Sequence, residues 1–213
     1  LGKLYLAGDA ALPRDPAAAL KWLTYAAELG NQFAQYRLGK LLLKGDDGIP
    51  KDVITAIRWL TAAAKQENGY AEYALALVYL TGEDAPKDSV KALSLLKRSA
   101  GRGNQFAQYR LGKLLLQGED APKDVKAAIR WLTAAAEQGN QYAQYALGKL
   151  YLLGKEVPKD RSSAIKWFQL AADQGNEYAQ YFLKHMDDRL GQPPVAAVIS
   201  LFHHCLLYTS DAA

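Results

Sequence analysis

Residues 31–64, NQFAQYRLGKLLLKGDDGIPKDVITAIRWLTAAA, return almost unchanged at 104–136 as NQFAQYRLGKLLLQGEDAPKDVKAAIRWLTAAA. The landmarks between them recur at half that distance. Pro13, Pro50, Pro86, Pro122 and Pro158 mark one series, and Ala34, Ala71, Ala107, Ala143 and Ala179 mark another, at spacings of 37, 36, 36 and 36 residues. Self-similarity with a period in this range is the signature of a stacked repeat array, in which each unit buries its apolar face only against its neighbours. Length therefore does not count domains here.

One unit, Asn104 to Gly139, reads as two helices. Phe106, Ala107, Leu111, Leu114 and Leu115 fall at helical spacing and make one face of a helix A that closes at Gly118. A short polar loop reaches Pro122, and Asp124 stands where a carboxylate can accept from the free N–H groups of the next helix; Asp15, Asp52, Asp88 and Asp160 repeat it. Helix B carries Ala128, Ile129, Trp131, Leu132, Ala135 and Ala136. Trp22, Trp59, Trp131 and Trp167 are expected to fill the space between layers. The third copy departs, with Leu95 for the tryptophan and Ser99 for an alanine, and is expected to be the least stable. The 37-residue intervals are read as a one-residue loop insertion that leaves both helix registers intact. In order, the pattern predicts helix A over 1–6, helix B over 15–28, the pairs 31–43/52–66, 69–80/88–100, 104–116/124–137 and 140–152/160–173, and a last helix A over 176–186.

The string Ala-x-x-x-Leu-Gly-x-x-Tyr/Leu-x-x-Gly, then Pro-Lys-Asp, then Ala-Ile-x-Trp-x-x-x-Ala-Ala-x-x-Gly, seen over Ala143 to Gly175, resembles the SEL-one-like repeat (SLR) of the tetratricopeptide-like superfamily. The resemblance implies an all-α fold, a right-handed α-solenoid of antiparallel helix pairs with helix A on the concave side. It also implies a protein-binding adaptor or scaffold rather than an enzyme. More loosely, the end of the array, YAQYFLKHMDDRLGQPPVAAVISLFHH, resembles SLR regions in proteins of conjugative or mobilisable elements, some attached to relaxases, which implies an accessory region of a DNA-mobilising protein. A regulatory repeat region of an enzyme whose catalytic domain lies elsewhere is a third reading.

Residues 1–190 are assigned to the array and 191–204 to a closing helix. Residues 205–213, CLLYTSDAA, resemble a translated sequencing adapter and are read as foreign, which removes Cys205 and with it any disulfide or thiol chemistry. The chain opens at Leu1 within a repeat and is read as a fragment. Its longest largely apolar stretch, residues 195–202, is far short of the ~20 residues that span a bilayer. A soluble, monomeric, cytoplasmic protein with no membrane partner is expected.

Chemistry-bearing motifs are sparse. The three histidines, His185, His203 and His204, are poorly placed as joint metal ligands, and no phosphate loop, activated serine or paired cysteine occurs. No cofactor, metal or catalytic residue is assigned. Lys3, Lys40, Lys113 and Lys149 occupy one helix-A position in successive units, interrupted by Leu77 and ended by His185. With helix axes ~8–10 Å apart they would line one groove. Gln35, Glu72, Gln108, Gln144 and Gln180 form a second row, and Arg37 and Arg110 add two guanidinium groups. These residues are expected to hold a protein partner in the concave groove, the amides gripping its backbone and the lysines choosing acidic side chains. Duplication would carry solvated lysines along in the same pattern, and nucleic acid is the rival occupant, on the lysine row and the looser mobile-element resemblance; the net charge of +4 weakly favours an acidic partner. The Tyr36, Tyr73, Tyr109, Tyr145 and Tyr181 row, beside Phe33, Tyr70, Phe106, Tyr142 and Tyr178, is read as packing between helices rather than a base-stacking platform.

Overall fold

A computed structural model describes residues 2–7, 13–45 and 48–185. Among these residues every regular element is a helix: α1 (Gly2–Ala7), α2 (Pro16–Glu28), α3 (Gln32–Lys44), α4 (Val53–Lys65), α5 (Gly69–Thr81), α6 (Ser89–Gly101), α7 (Gln105–Gln117), α8 (Val125–Glu137), α9 (Gln141–Leu153), α10 (Arg161–Asp173) and α11 (Glu177–His185). Odd-numbered helices are the helix A copies and even-numbered ones the helix B copies. The expected closing helix, the 205–213 tail, His203 and His204 lie outside the described residues.

Both helix starts are capped by side chains. Asp15, Asp52, Asp88, Asp124 and Asp160 each accept from a first-turn N–H of helix B. Hydrogen bonds from Ser163 and Ser162 hold the Asp160 carboxyl down to about 2. Helix A has caps of its own that the sequence reading did not single out: Asn31, Asn68, Asn104, Asn140 and Asn176 accept from Ala34, Ala71, Ala107, Ala143 and Ala179 N–H. Their signal was a period as strict as that of the prolines. At the other end of helix A, Gly118 takes the left-handed conformation expected of it (φ 75°, ψ 18°). The helices α3, α4, α5 and α6 have equal lengths of 13 residues, so the extra residue of the 37-residue interval lies in the α3–α4 loop.

The chain forms two compact units, one running to Ala143 and one from Gln144 onward. In the first, each helix A packs on its own helix B, and each helix B on the next helix A, from α1 to α7 and on to α8. Glycine sets how closely the pair approaches. A Cβ on Gly39 would fall 2.5 Å from Leu60 Cγ, and one on Gly112 would fall 2.7 Å from Leu132 Cγ. Leu60, Leu96 and Leu132 are fully buried at this position of helix B. In the second unit Phe168 replaces leucine, stacks on Phe182 at 5.2 Å, and leaves a Gly148 Cβ only 2.7 Å of room. The tryptophans one residue earlier do not fill the core as expected. Trp22 is 39% exposed and Trp59, Trp131 and Trp167 are half-buried, because helix geometry gives the inward direction to the next residue.

Loops of successive repeats are tied along one edge. Lys51 pairs with Asp84 at 2.6 Å and Lys87 with Asp120 at 2.9 Å, and Ser89 Oγ donates to the same Asp120 carboxylate at 2.7 Å. Among the described residues no helix is long and apolar enough to cross a membrane.

Candidate partner-binding face and the latches behind it

The glutamine row does something other than what its sequence suggested. Gln35, Gln108 and Gln144 are buried, and their polar atoms are engaged inside the protein. Gln35 Nε2 donates to Ala27 O, the last turn of the preceding helix B, at 3.1 Å, and Gln35 Oε1 accepts from Gln66 Nε2 at 2.8 Å. Gln108 repeats both bonds, to Ala100 O at 3.1 Å and from Gln138 Nε2 at 2.7 Å. In the second unit Gln174 donates to Gln144 at 2.7 Å, and Gln180 donates to Ala172 O at 3.2 Å, although Gln180 itself is exposed. Gln35 and Gln108 each plug an open helix-end carbonyl of the preceding repeat and are held in place by the C-cap glutamine of their own repeat. These amides cannot grip a partner's backbone while they do so. The C-cap residues Gln66, Gln138 and Gln174 were missed in the sequence because a polar residue after helix B reads as ordinary loop.

The third repeat solves the same problem with charge. Glu72, fully buried, stands where the others have glutamine, and Arg102 stands where they have the C-cap glutamine. Arg102 Nε donates to Glu72 Oε2 at 3.2 Å, and Arg98 Nη2 lies 2.7 Å from Oε1 as an ion-pair contact. A carboxylate cannot donate to the preceding helix end, and Arg98 Nη2 takes over, reaching Ala64 O at 3.3 Å. Arg102 also pairs with Glu67 at 3.0 Å, whose backbone has φ 65° where the other repeats place glycine. Ser99, fully buried, donates to Gly69 O at 2.6 Å. Of the two departures expected to weaken this repeat, Ser99 thus has a hydrogen-bond partner and Leu95 is buried in the core.

The solvent side of helix A carries the remaining site residues. Arg37 is exposed, and Lys40, Leu77, Arg110, Lys113 and Lys149 are partly exposed. Lys3 lies on α1. Burial, and then the charges of Arg37 and Lys44, pull the Lys40 ammonium below the ordinary lysine range. Arg110 lies near Tyr73, whose phenol is raised by burial and lowered in part by that charge. The aromatic row joins neighbouring A helices: Tyr36 meets Tyr70 at 5.8 Å, Tyr73 meets Phe106 at 6.3 Å, Tyr109 meets Tyr142 at 6.0 Å and, in the second unit, Tyr145 meets Tyr178 at 6.0 Å. His185 stacks on Tyr181 at 4.2 Å and its Nδ1 lies 2.7 Å from Tyr181 O. Among the described residues no group of three metal-ligating side chains converges.

One feature of this face concerns sign. The helices α3, α5, α7 and α9 hold Arg37, Lys40, Lys44, Arg110, Lys113 and Lys149, and their only acidic residue is Glu72, which is buried and neutralised by two arginines. Among the described residues the other acids sit in the loops, at the caps and on helix B, apart from Glu177 in the first turn of α11.

Comparison with known proteins agrees with this architecture. The Sel1 repeat model matches five successive stretches, residues 1–31, 32–68, 69–104, 105–140 and 141–176. No match was found among curated proteins. A Sel1 repeat protein from Oxalobacter formigenes is 35% identical with a TM-score of 0.78 over 86% of this chain and 53% of its own. A protective antigen of uropathogenic Escherichia coli that displays an SLR fold is also 35% identical, with a TM-score of 0.78, over 90% of this chain and 41% of its own. This chain thus spans about half the length of those relatives or less. An immunity protein of Pseudomonas aeruginosa, 23% identical with a TM-score of 0.60 over 92% of this chain and 71% of its own, shares the fold. With five repeats matched and the helix pairs packed in succession, the chain is an all-α solenoid protein and belongs to the Sel1 repeat family.

Proposed function

We propose that this protein is an adaptor that captures a protein partner on the exposed side of its A helices. Sel1 repeats commonly mediate protein–protein interaction, and proteins built from them are generally non-catalytic scaffolds. The observation that carries the reading is the segregation of charge. In the first unit α3 and α7 carry five cations, Arg37, Lys40, Lys44, Arg110 and Lys113, and α3, α5 and α7 have no exposed carboxylate, in a chain whose acids and bases are otherwise nearly balanced. Such a face attracts an acidic surface and repels a basic one. The buried glutamines contribute by holding the A helices at fixed spacing, so the cations are presented on a preformed scaffold.

Affinity capture with the full chain, compared with a Lys40→Glu, Lys113→Glu and Lys149→Glu triple variant, tests this. The partner should be lost from the variant while its helical circular dichroism is unchanged. Retention of the same partner by a folded variant would remove the A-helix face from the function. Binding that falls steeply with salt for any single-stranded DNA, with no protein recovered, would replace the adaptor reading with nucleic-acid binding.

A further inference from the structure

The first compact unit contains three A helices whose sequences align without gaps, and the middle one is different in kind. Tyr36-Arg37-Leu38-Gly39-Lys40 of α3 and Tyr109-Arg110-Leu111-Gly112-Lys113 of α7 are identical, whereas α5 reads Tyr73-Ala74-Leu75-Ala76-Leu77. Both solvent-side cations are gone from α5, replaced by Ala74 and Leu77. Tyr70, 52% exposed, Tyr73 and Leu77 follow at helical spacing, so the solvent side of α5 is an apolar strip. The one charge on α5 itself, Glu72, is turned inward and meets Arg98 and Arg102. The strip is flanked closely on both sides. Tyr70 touches Tyr36 of α3 and Tyr73 touches Phe106 of α7, which places Arg37 and Lys40 on one side and Arg110 and Lys113 on the other.

Resting on the adaptor reading above, we propose that α3, α5 and α7 together take an extended segment of a partner protein in which two acidic side chains flank an apolar one. The apolar residue sits on Tyr70, Tyr73 and Leu77, and the acids face Arg37 and Lys40 at one end and Arg110 and Lys113 at the other. Helix axes ~8–10 Å apart put the two cationic ends ~16–20 Å apart. An extended chain advances ~3.3 Å per residue, so the two acids should stand about five or six residues apart with the apolar residue midway. Nucleic acid suits this surface less well. Its rings are already paired with one another at 5.8–6.3 Å, and its centre lacks the cation that a continuous phosphate track requires.

Panning the full chain against random displayed peptides of about twelve residues tests the proposal, with the Ala74→Arg, Leu77→Lys variant, which rewrites α5 in the pattern of its neighbours, panned in parallel. The selected wild-type sequences should converge on acid, apolar, acid at the stated spacing. A synthetic peptide of that sequence should bind the variant at least ~10-fold more weakly, and its counterpart with glutamate at the centre should prefer the variant. Selection of sequences without the flanking acids, or of acidic sequences that bind wild type and variant alike, would overturn the proposal. If those sequences were still lost on Lys40→Glu and Lys113→Glu substitution, the adaptor reading would survive its failure. Absence of any enrichment, with both proteins folded, would overturn both.

Discussion

At the scale of single residues, the exchange of glutamine for an ion cluster in the third repeat is a coupled change. Glu72 without its arginines would be an unpaired buried carboxylate, and Arg102 without Glu72 would have no reason to replace glutamine. Arg102→Gln alone should therefore lower the thermal midpoint by several degrees. Adding Glu72→Gln should recover most of the loss by rebuilding the amide pair seen at Gln35 with Gln66 and at Gln108 with Gln138. Thermal unfolding of the two single variants and the double variant gives the coupling directly, and additive effects would show that the pairs are independent. Glu67 shows that the same cluster also holds a backbone in the left-handed region, a conformation that costs a side-chain-bearing residue ~1–2 kcal/mol.

At the scale of helices, two neighbouring positions on helix B have opposite meanings. Trp131 has the larger side chain but is half-buried, whereas Leu132 is completely enclosed and rests against Gly112. Leu132→Ala should cost ~2–5 kcal/mol, as a buried leucine does when it leaves a cavity. Trp131→Ala should cost less than Leu132→Ala despite removing more atoms, and denaturant titration of the two would settle the order. This pair also shows what the sequence can and cannot reveal. Helix positions were legible to within one or two residues because prolines, closing glycines and aspartate caps punctuate each unit. Which of two adjacent apolar residues points inward depends on the phase of the helix, and the size of tryptophan suggested the wrong one. The buried amides were illegible for a related reason: a recurring glutamine looks like surface until the carbonyl it meets, eight residues earlier in the chain, is placed beside it.

At the scale of the molecule, the repeat interfaces are interchangeable where their chemistry matches. Ala64 O, which now accepts from Arg98, is the counterpart of Ala100 O, which accepts from Gln108. Excision of residues 69–104 would bring Gln108 to Ala64 and leave Asn68 as the cap of α7 in place of Asn104. The shortened chain should fold, with helical content per residue preserved and a lower midpoint, since stability in such arrays is close to a sum over units and their interfaces. Circular dichroism and thermal unfolding of the deletion check this, and loss of helicity would show that the ion cluster is indispensable to the stack. The acid-flanked recognition pattern proposed above was half legible, because the lysine row and its break at Leu77 are visible in the sequence. The pairing of aromatic rings across helices and the inward turn of the Glu72 charge required the fold.

The near-identity of residues 31–64 and 104–136 has a genetic side. Long repeated stretches in a coding sequence invite unequal recombination, which adds or removes whole units between them. Most proteins would not survive such an event. In the first unit the latches from Gln35, Arg98 and Gln108 meet equivalent carbonyls, so an in-frame gain or loss of repeats there would change the number of A helices while leaving the junctions closed. The repeats are built so that the length of the array can drift by whole units.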